Sequence, residues 1–337
     1  MIINLSQFKE ITLGAARIEK NDDGFHFYRF TKQQEELYEK RNEEFYLKTF
    51  CTSGIKLRFL TDSQTLFLKT DITFKTTRTF FAFDVFVNGV KMDSLDNFSD
   101  TNLPKNYSIL KLSQGEFSKK INLGTGKKEV CVYFPWSVEA VIKEFSLDDN
   151  SFIKPIKPSK KMLCFGDSIT HGYDALYPSN KYITILANEL DAEENNKAIG
   201  GEIFFPELAA TSDNFEPDYI TVAYGTNDWY RCSKEEVMHN CKEFFYNLRN
   251  NYPNAKIFVI TPIWRKDMNE SSPFGNFKGV SEIIKQQTGE LKNILVIDGF
   301  DFVPQDENFF GDLSLHPNDK GFEYYSKNLI KRIKDVL

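Results

Sequence analysis

The residues able to do chemistry stand in three widely spaced stretches of this 337-residue chain. Ser168 lies in Gly166-Asp167-Ser168-Ile169-Thr170-His171-Gly172, Asn227 in Gly225-Thr226-Asn227-Asp228, and His316 in Gly311-Asp312-Leu313-Ser314-Leu315-His316-Pro317-Asn318-Asp319. A serine hydroxyl is a weak nucleophile until a base takes its proton, and an imidazole titrates near neutrality, which suits that task. The tetrahedral intermediate then needs donors aimed at its oxyanion. A carboxamide and backbone N–H groups supply them, each worth roughly 3–4 kcal/mol of barrier in comparable sites. Hydroxyl, imidazole and carboxamide together are the parts of acyl transfer. Ser168 is outside any G-x-S-x-G elbow, so the common α/β-hydrolase arrangement is excluded.

These stretches make one site only if the chain brings them together, and the pattern around them says how. Residues 162–165, 219–224, 257–260 and 294–297 are short continuous apolar runs, as expected of strands buried on both faces. Amphipathic stretches lie between them. Residues 235–250 place Val237, Cys241, Phe244, Phe245 and Leu248 at three-to-four spacing, with Ser233 set to cap the helix. A last helix is predicted over 320–337. Alternating strands and helices imply crossover units and a parallel sheet between helices. Ligands of such sheets bind beyond the carboxyl ends of the strands. Ser168 follows the first run, Asn227 the second, Trp264 and Arg265 the third, and His316 lies beyond the last.

The first 150 residues read differently. Ile55, Leu57 and Phe59 alternate with period two, as do Phe81, Phe83, Val85 and Val87, and then Val130, Val132 and Phe134. Asn88-Gly89 is a strong hairpin signal. Short alternating strands with turn residues between them predict an all-β sandwich of the jelly-roll kind. One helical interruption is predicted over 33–42. Residues 154–161 (KPIKPSKK) read as an extended spacer outside both cores. The expected organisation is therefore a sandwich over 1–152, a linker over 153–161 and an α/β domain over 162–337.

The formal charge of −6 is dispersed, and no basic stripe is present, which argues against a nucleic-acid partner. The apolar fraction of 41% with 27% charged residues is that of a soluble globular protein. No apolar run is long enough to span a membrane, and the first residues lack the features of a secretion signal, so a cytoplasmic protein is expected. The cysteines, five in number, match no zinc pattern and read as reduced, mostly buried thiols. The carboxylates form no evident glycosidase pair, and no acid and histidine cluster suggests a metal. The oligomeric state is not legible.

The stretches from Met162 to the C-terminus resemble, in order, the conserved blocks of the SGNH hydrolases, also called the GDSL esterase family. Gly166-Asp167-Ser168 resembles the first block, whose serine is the nucleophile. Asn196-Lys197-Ala198-Ile199-Gly200-Gly201 resembles the second, whose glycine N–H meets the oxyanion, with Gly201 the better match and Gly200 the alternative. Gly225-Thr226-Asn227-Asp228 resembles the third, with Asn227 as side-chain donor. His316-Pro317-Asn318 resembles the fifth, with His316 as base. The resemblance implies a flavodoxin-like parallel sheet flanked by helices. The family usually places an aspartate three residues before the histidine; here that position is Leu313, and the acid is Asp312, four before. A helical turn would bring Asp312 to the face of His316; otherwise a backbone carbonyl orients the ring.

A β-sandwich ahead of such a domain is similar to bacterial carbohydrate esterases that deacetylate xylan, mannan or their oligosaccharides. The expected activity is removal of acetyl groups from carbohydrate through an acyl-enzyme, with no cofactor. His171 competes for the role of base and is otherwise expected to line the pocket. Trp264, Tyr230 and Arg265 are candidates for sugar contacts. The alternatives are a lysophospholipase or thioesterase-like hydrolase of the same superfamily, and a non-catalytic carbohydrate-binding protein.

Overall fold

The computed structural model describes residues 1–213 and 215–337. The N-terminal half forms two antiparallel sheets face to face. One has the order Thr12–Leu13, Lys56–Thr61, Lys128–Tyr133, Ala82–Val87, Val90–Asp96; the other has the order Arg17–Asn21, Gly24–Tyr28, Val138–Leu147, Thr65–Phe74, Gly115–Asn122. From Gly24–Tyr28 onward the chain crosses between the sheets at all but one connection, which gives a two-sheet β-sandwich. The exception is the hairpin at Asn88-Gly89, where both residues have positive φ (49° and 80°) and Val87 pairs with Val90. Every alternating residue singled out in the sequence is buried between the sheets, with Leu66, Leu68 and Ile121 facing them.

The C-terminal half is a five-stranded parallel sheet in the order Ala192–Asn196, Lys160–Gly166, Tyr219–Ala223, Lys256–Ile260, Ile294–Ile297. This is the flavodoxin-like order, and it reverses at the strand that ends before Ser168. Successive side chains enter opposite layers. Ile257 and Val259 pack towards the helices Lys234–Asn251 and Lys278–Thr288, whereas Phe258 and Ile260 join the core of Tyr182–Glu189 and Asp319–Lys334. Ser233 closes a capping box with Glu236, and Val237, Cys241, Phe244, Phe245 and Leu248 are all buried. All five cysteines are free and buried. Among the described residues no helix is long and apolar enough to cross a membrane.

Three features depart from the sequence reading. The spacer is mostly structured: Ile153–Pro155 pairs with Lys56–Thr61 as an edge strand, and the parallel sheet begins at Lys160, so residues 156–159 alone bridge the sheets. Pro155 is tolerated because an edge position asks for no ladder donor there. A second helix, Glu43–Thr49, follows Lys32–Arg41. The strand Ala192–Asn196 has the sequence AEENN and no apolar run, yet Glu194, Asn195 and Asn196 are buried. Glu194 is paired with Lys181 at 3.0 Å and accepts from Thr184 and Asn196, so its charge is satisfied internally.

The two halves share cores. Phe30, Tyr38 and Phe45 pack with Phe205 and Leu208 on one side, and Phe80, Tyr107 and Trp136 pack with Tyr173 and Tyr182 on the other. Between these apolar patches lies a polar seam. Arg29, with no exposed surface, donates to the carbonyls of Cys51 (2.6 Å), Lys48 (3.0 Å), Asn196 (2.7 Å) and Ala198 (3.1 Å).

Glu194→Ala leaves the Lys181 ammonium buried without its counter-charge, and removing one partner of such a pair costs about 3–5 kcal/mol. The expected outcome is an unfolding free energy, read from urea denaturation, lower by that amount. A loss below about 1 kcal/mol would mean that the pair contributes no more than an exposed one.

Candidate active site

Ser168 opens a single helical turn, Ser168–His171, directly after the first strand of the parallel sheet. Asp167 caps it by accepting from the Ile169 N–H at 2.9 Å, and burial pushes the Asp167 carboxyl up to about 6. Gly172, at φ 118°, ends the turn. The serine is thus held where strand and helix meet, at the reversal of strand order. His316 arrives from a loop beyond the fifth strand. Its Nε2 is 2.8 Å from Ser168 Oγ, and its Nδ1 is 2.6 Å from Asp312 Oδ2.

The four-residue offset between Asp312 and His316 is accommodated without a helix. Leu313 has φ 63°, and Asp312 Oδ1 accepts from the N–H groups of Ser314 (3.0 Å), Leu315 (2.8 Å) and His316 (3.1 Å). One carboxylate oxygen therefore shapes the loop and the other meets the imidazole. Phe310 pairs with Pro317, and Gly311 N–H donates to His316 O, which closes the loop at its base. Gly311 is pressed so closely against Asp174 and Tyr107 that a Cβ there would come within 2.6 Å of Asp174 Cβ. Burial raises the Asp312 pKa, but the bonds from the ring and the backbone win and hold the carboxyl far below the usual range. An ionised carboxylate only accepts, so Nδ1 carries the proton and Nε2 is free to accept from Ser168.

Donors expected to serve the site are available. The N–H groups of Ser168 and Gly201 have no hydrogen-bond partner among the described residues. The Gly200 N–H is already used, donating to His171 Nδ1 at 3.2 Å, which favours Gly201 of the two glycines. Gly201 has φ 88°, a conformation in which a side chain is strained. Asn227 Nδ2 donates one hydrogen to Glu202 O at 2.9 Å and retains the other. Asp228 accepts from Phe204 and Gly225, and orders the loop that carries Asn227.

Two expected substrate contacts, His171 and Arg265, are buried and engaged elsewhere. His171 has no exposed surface: its Nε2–H donates to Trp136 O at 2.9 Å, and burial pushes its pKa well down. It is a wedge behind the glycine loop, neither base nor pocket wall. Arg265 is 5% exposed and committed to Asp267 (2.5 and 2.7 Å) and the Thr226 carbonyl (2.9 Å), so its guanidinium orders the Asn227 turn and its donors are already engaged. Trp264 is half-buried against Phe310, and Tyr230 is exposed beside Arg265, so these two remain open to a ligand.

Two groups escaped the sequence reading. Arg78, from the sandwich half, grips the fully buried Asp174 through Nε (2.6 Å) and Nη2 (3.1 Å). Its Nη2 also stands 3.3 Å from His316 Nδ1 and 3.9 Å from Asp312 Oδ2. Because Nδ1–H points to Asp312, the approach of Arg78 to the ring is a packing contact and not a hydrogen bond. Asp174, Asp312 and His316 could in principle gather a metal, since their ligand atoms lie within 4.8 Å of one another. The Arg78 guanidinium already supplies the positive charge at that place, and the three do not fit an ion. Arg78 stands in TTRTFF with no motif around it; Asp174 had only its closeness to Ser168 in sequence to mark it.

Residues 164–324 match the model of the GDSL-like lipase/acylhydrolase family. Over this stretch, just under half of the chain, the sequence is similar to that family. The SGNH fold and an esterase activity go with it. No curated protein matches the sequence. Similar solved structures span both halves. A salicylyl-acyltransferase from a tetracycline biosynthetic pathway is 18% identical with a TM-score of 0.81, over 100% of this chain and 98% of that one. A family two carbohydrate esterase from Clostridium thermocellum, in complex with cellohexaose, is 17% identical with a TM-score of 0.65, over 96% and 98%. An acetyl xylan esterase from Butyrivibrio proteoclasticus is 16% identical with a TM-score of 0.64, over 99% and 98%. The sandwich and SGNH domain together are thus a shared architecture.

Removing the Arg78 charge leaves Asp174, 3.9 Å from His316 Nδ1, without its counter-ion. A bare carboxylate there favours the protonated imidazole. Arg78→Gln is therefore expected to move the acid limb of the kcat/KM profile to higher pH. An unmoved limb in a folded variant would show that Asp174 is neutralised by other means.

Proposed function

We propose that the SGNH esterase removes O-acetyl groups from carbohydrate through an acyl-enzyme on Ser168. The observation that carries the reading is the continuous chain Ser168 Oγ, His316, Asp312, with contacts of 2.8 and 2.6 Å, together with the N–H groups of Ser168 and Gly201, which have no partner among the described residues. His316 Nε2 takes the hydroxyl proton as Oγ attacks the acyl carbonyl, and Asp312 stabilises the imidazolium that forms. The N–H groups of Ser168 and Gly201 and the Asn227 carboxamide receive the oxyanion. The imidazolium then gives its proton to the departing sugar hydroxyl, and water repeats the sequence on the acyl-serine. No cofactor enters these steps.

The choice of a short acyl group and a sugar rests on two supports. Carbohydrate esterases are among the proteins of the same two-part architecture. A long acyl chain would call for an apolar groove leading from Ser168. The cavity beside the nucleophile turn, lined by Asp167, Ile169, Pro262 and Ile263, holds only about 20 Å³, and larger cavities of about 290, 340, 500 and 660 Å³ open at other places. The likeness to a salicylyl-acyltransferase supports a second reading, in which an alcohol other than water accepts the acyl group.

Acetate release from acetylated xylo-, manno- and gluco-oligosaccharides tests the reading. Activity on at least one of them, with acetyl esters hydrolysed faster than octanoyl esters, is expected; preference for octanoyl esters would sink it. Ser168→Ala is expected to abolish labelling by a fluorophosphonate. Asp312→Asn, which presents the wrong partner to Nδ1–H, is expected to lower kcat by about two to four orders of magnitude. A loss below about tenfold would mean that another group orients the ring.

A further inference from the structure

We propose that Lys48, carried on the helix Glu43–Thr49 of the N-terminal half, positions and polarises the Gly201 N–H as an oxyanion donor. The inference rests on the role given to Gly201 above. The Gly200 carbonyl and the Gly201 N–H belong to one trans peptide unit and point in opposite directions. Lys48 Nζ donates to Gly200 O at 2.8 Å, so the carbonyl is held on the far side of the loop and the N–H is turned the other way. The neighbouring peptide units are held as well. Gly200 N–H donates to His171 Nδ1 at 3.2 Å, and Arg231 Nη1 donates to Gly201 O at 2.8 Å. Of the backbone N–H groups of the two glycines, that of Gly201 alone has no partner among the described residues.

The bond does more than aim the donor. An ammonium on a carbonyl oxygen draws electron density through the amide and strengthens its N–H as a donor. The Lys48 side chain is 5% exposed, so solvent screens this interaction little. Glu44 Oε1, 2.5 Å from Nζ, holds the ammonium from its exposed side. The end of the helix is tied to the same loop: Arg29 donates to Lys48 O at 3.0 Å and, through Nη1, to Asn196 O and Ala198 O. Lys48 and the glycine loop are therefore tied together at several points. Lys48 touches neither ester nor serine, which makes it a positioning residue supplied across the domain boundary.

The test compares the full chain with Lys48→Met, Lys48→Gln and Lys48→Arg on an acetate ester and on the matching thionoacetate, whose sulfur is a weak hydrogen-bond acceptor. Lys48→Met is expected to lower kcat on the oxygen ester by roughly tenfold to hundredfold, with KM within about threefold. The loss on the thionoester is expected to be much smaller, and Lys48→Arg is expected to recover most of the rate. Near-ultraviolet circular dichroism checks the fold; if Lys48→Met does not fold, the same ester comparison is read from Lys48→Gln. Equal losses on the two esters would show general misplacement of the site and overturn the proposal. So would a kcat on the oxygen ester within about threefold of wild type. Ser168→Ala separates the two levels: if it stays active, the assignment of the site itself fails; if it is inactive while Lys48→Met is fully active, only the role of Lys48 falls.

Discussion

Arg29 is a guanidinium with no exposed surface, and burial brings its pKa down to about 10, still charged at neutral pH. A charge so placed has to be met by oxygen atoms, and the chain meets it with carbonyls drawn from both halves. That requirement joins the end of the helix bearing Lys48 to the loop bearing Gly200 and Gly201. Much of the site depends on this junction, because the loop that presents the donor is shaped by residues some 150 positions away in sequence.

The same principle recurs on the other side of the serine. Asp174 is buried beside His316, and alone it would compete with Asp312 for the Nδ1 proton. Arg78 neutralises it from the sandwich half. The N-terminal half is thus no mere appendage. It brings Arg78 to Asp174 beside His316, and Arg29 and Lys48 to the glycine loop proposed to receive the oxyanion. Shared apolar cores on both flanks keep these cations in register with their targets.

The hydrogen-bond arrangement around the glycine loop also explains why a histidine so near the nucleophile does not serve as its base. His171 sits in the first turn after the strand, which directs its ring into the junction with Trp136. A buried imidazole that accepts from one N–H and donates to one carbonyl is satisfied as a neutral group, and burial disfavours its charged form. His316 keeps its Nε2 towards Ser168, because its other nitrogen is occupied by a carboxylate that remains ionised.

By itself the sequence determined the two periods, and with them the two architectures, because burial on one face or on two imposes alternation or continuous apolar runs. It also marked Ser168, Asn227 and His316, since loops at strand ends carry those types in an order that chemistry can use. The strand Ala192–Asn196 was illegible: its burial is compensated by Lys181 and Thr184, partners that no local pattern discloses. Tertiary structure alone decided that Asp312 reaches His316 through a left-handed Leu313, that Arg265 and His171 are structural, and that Arg78 and Lys48 reach the site. The physical reason is common to all of these. Apolar burial leaves a periodic trace along the chain, whereas the satisfaction of a buried charge depends on which distant oxygen the fold brings within about 3 Å.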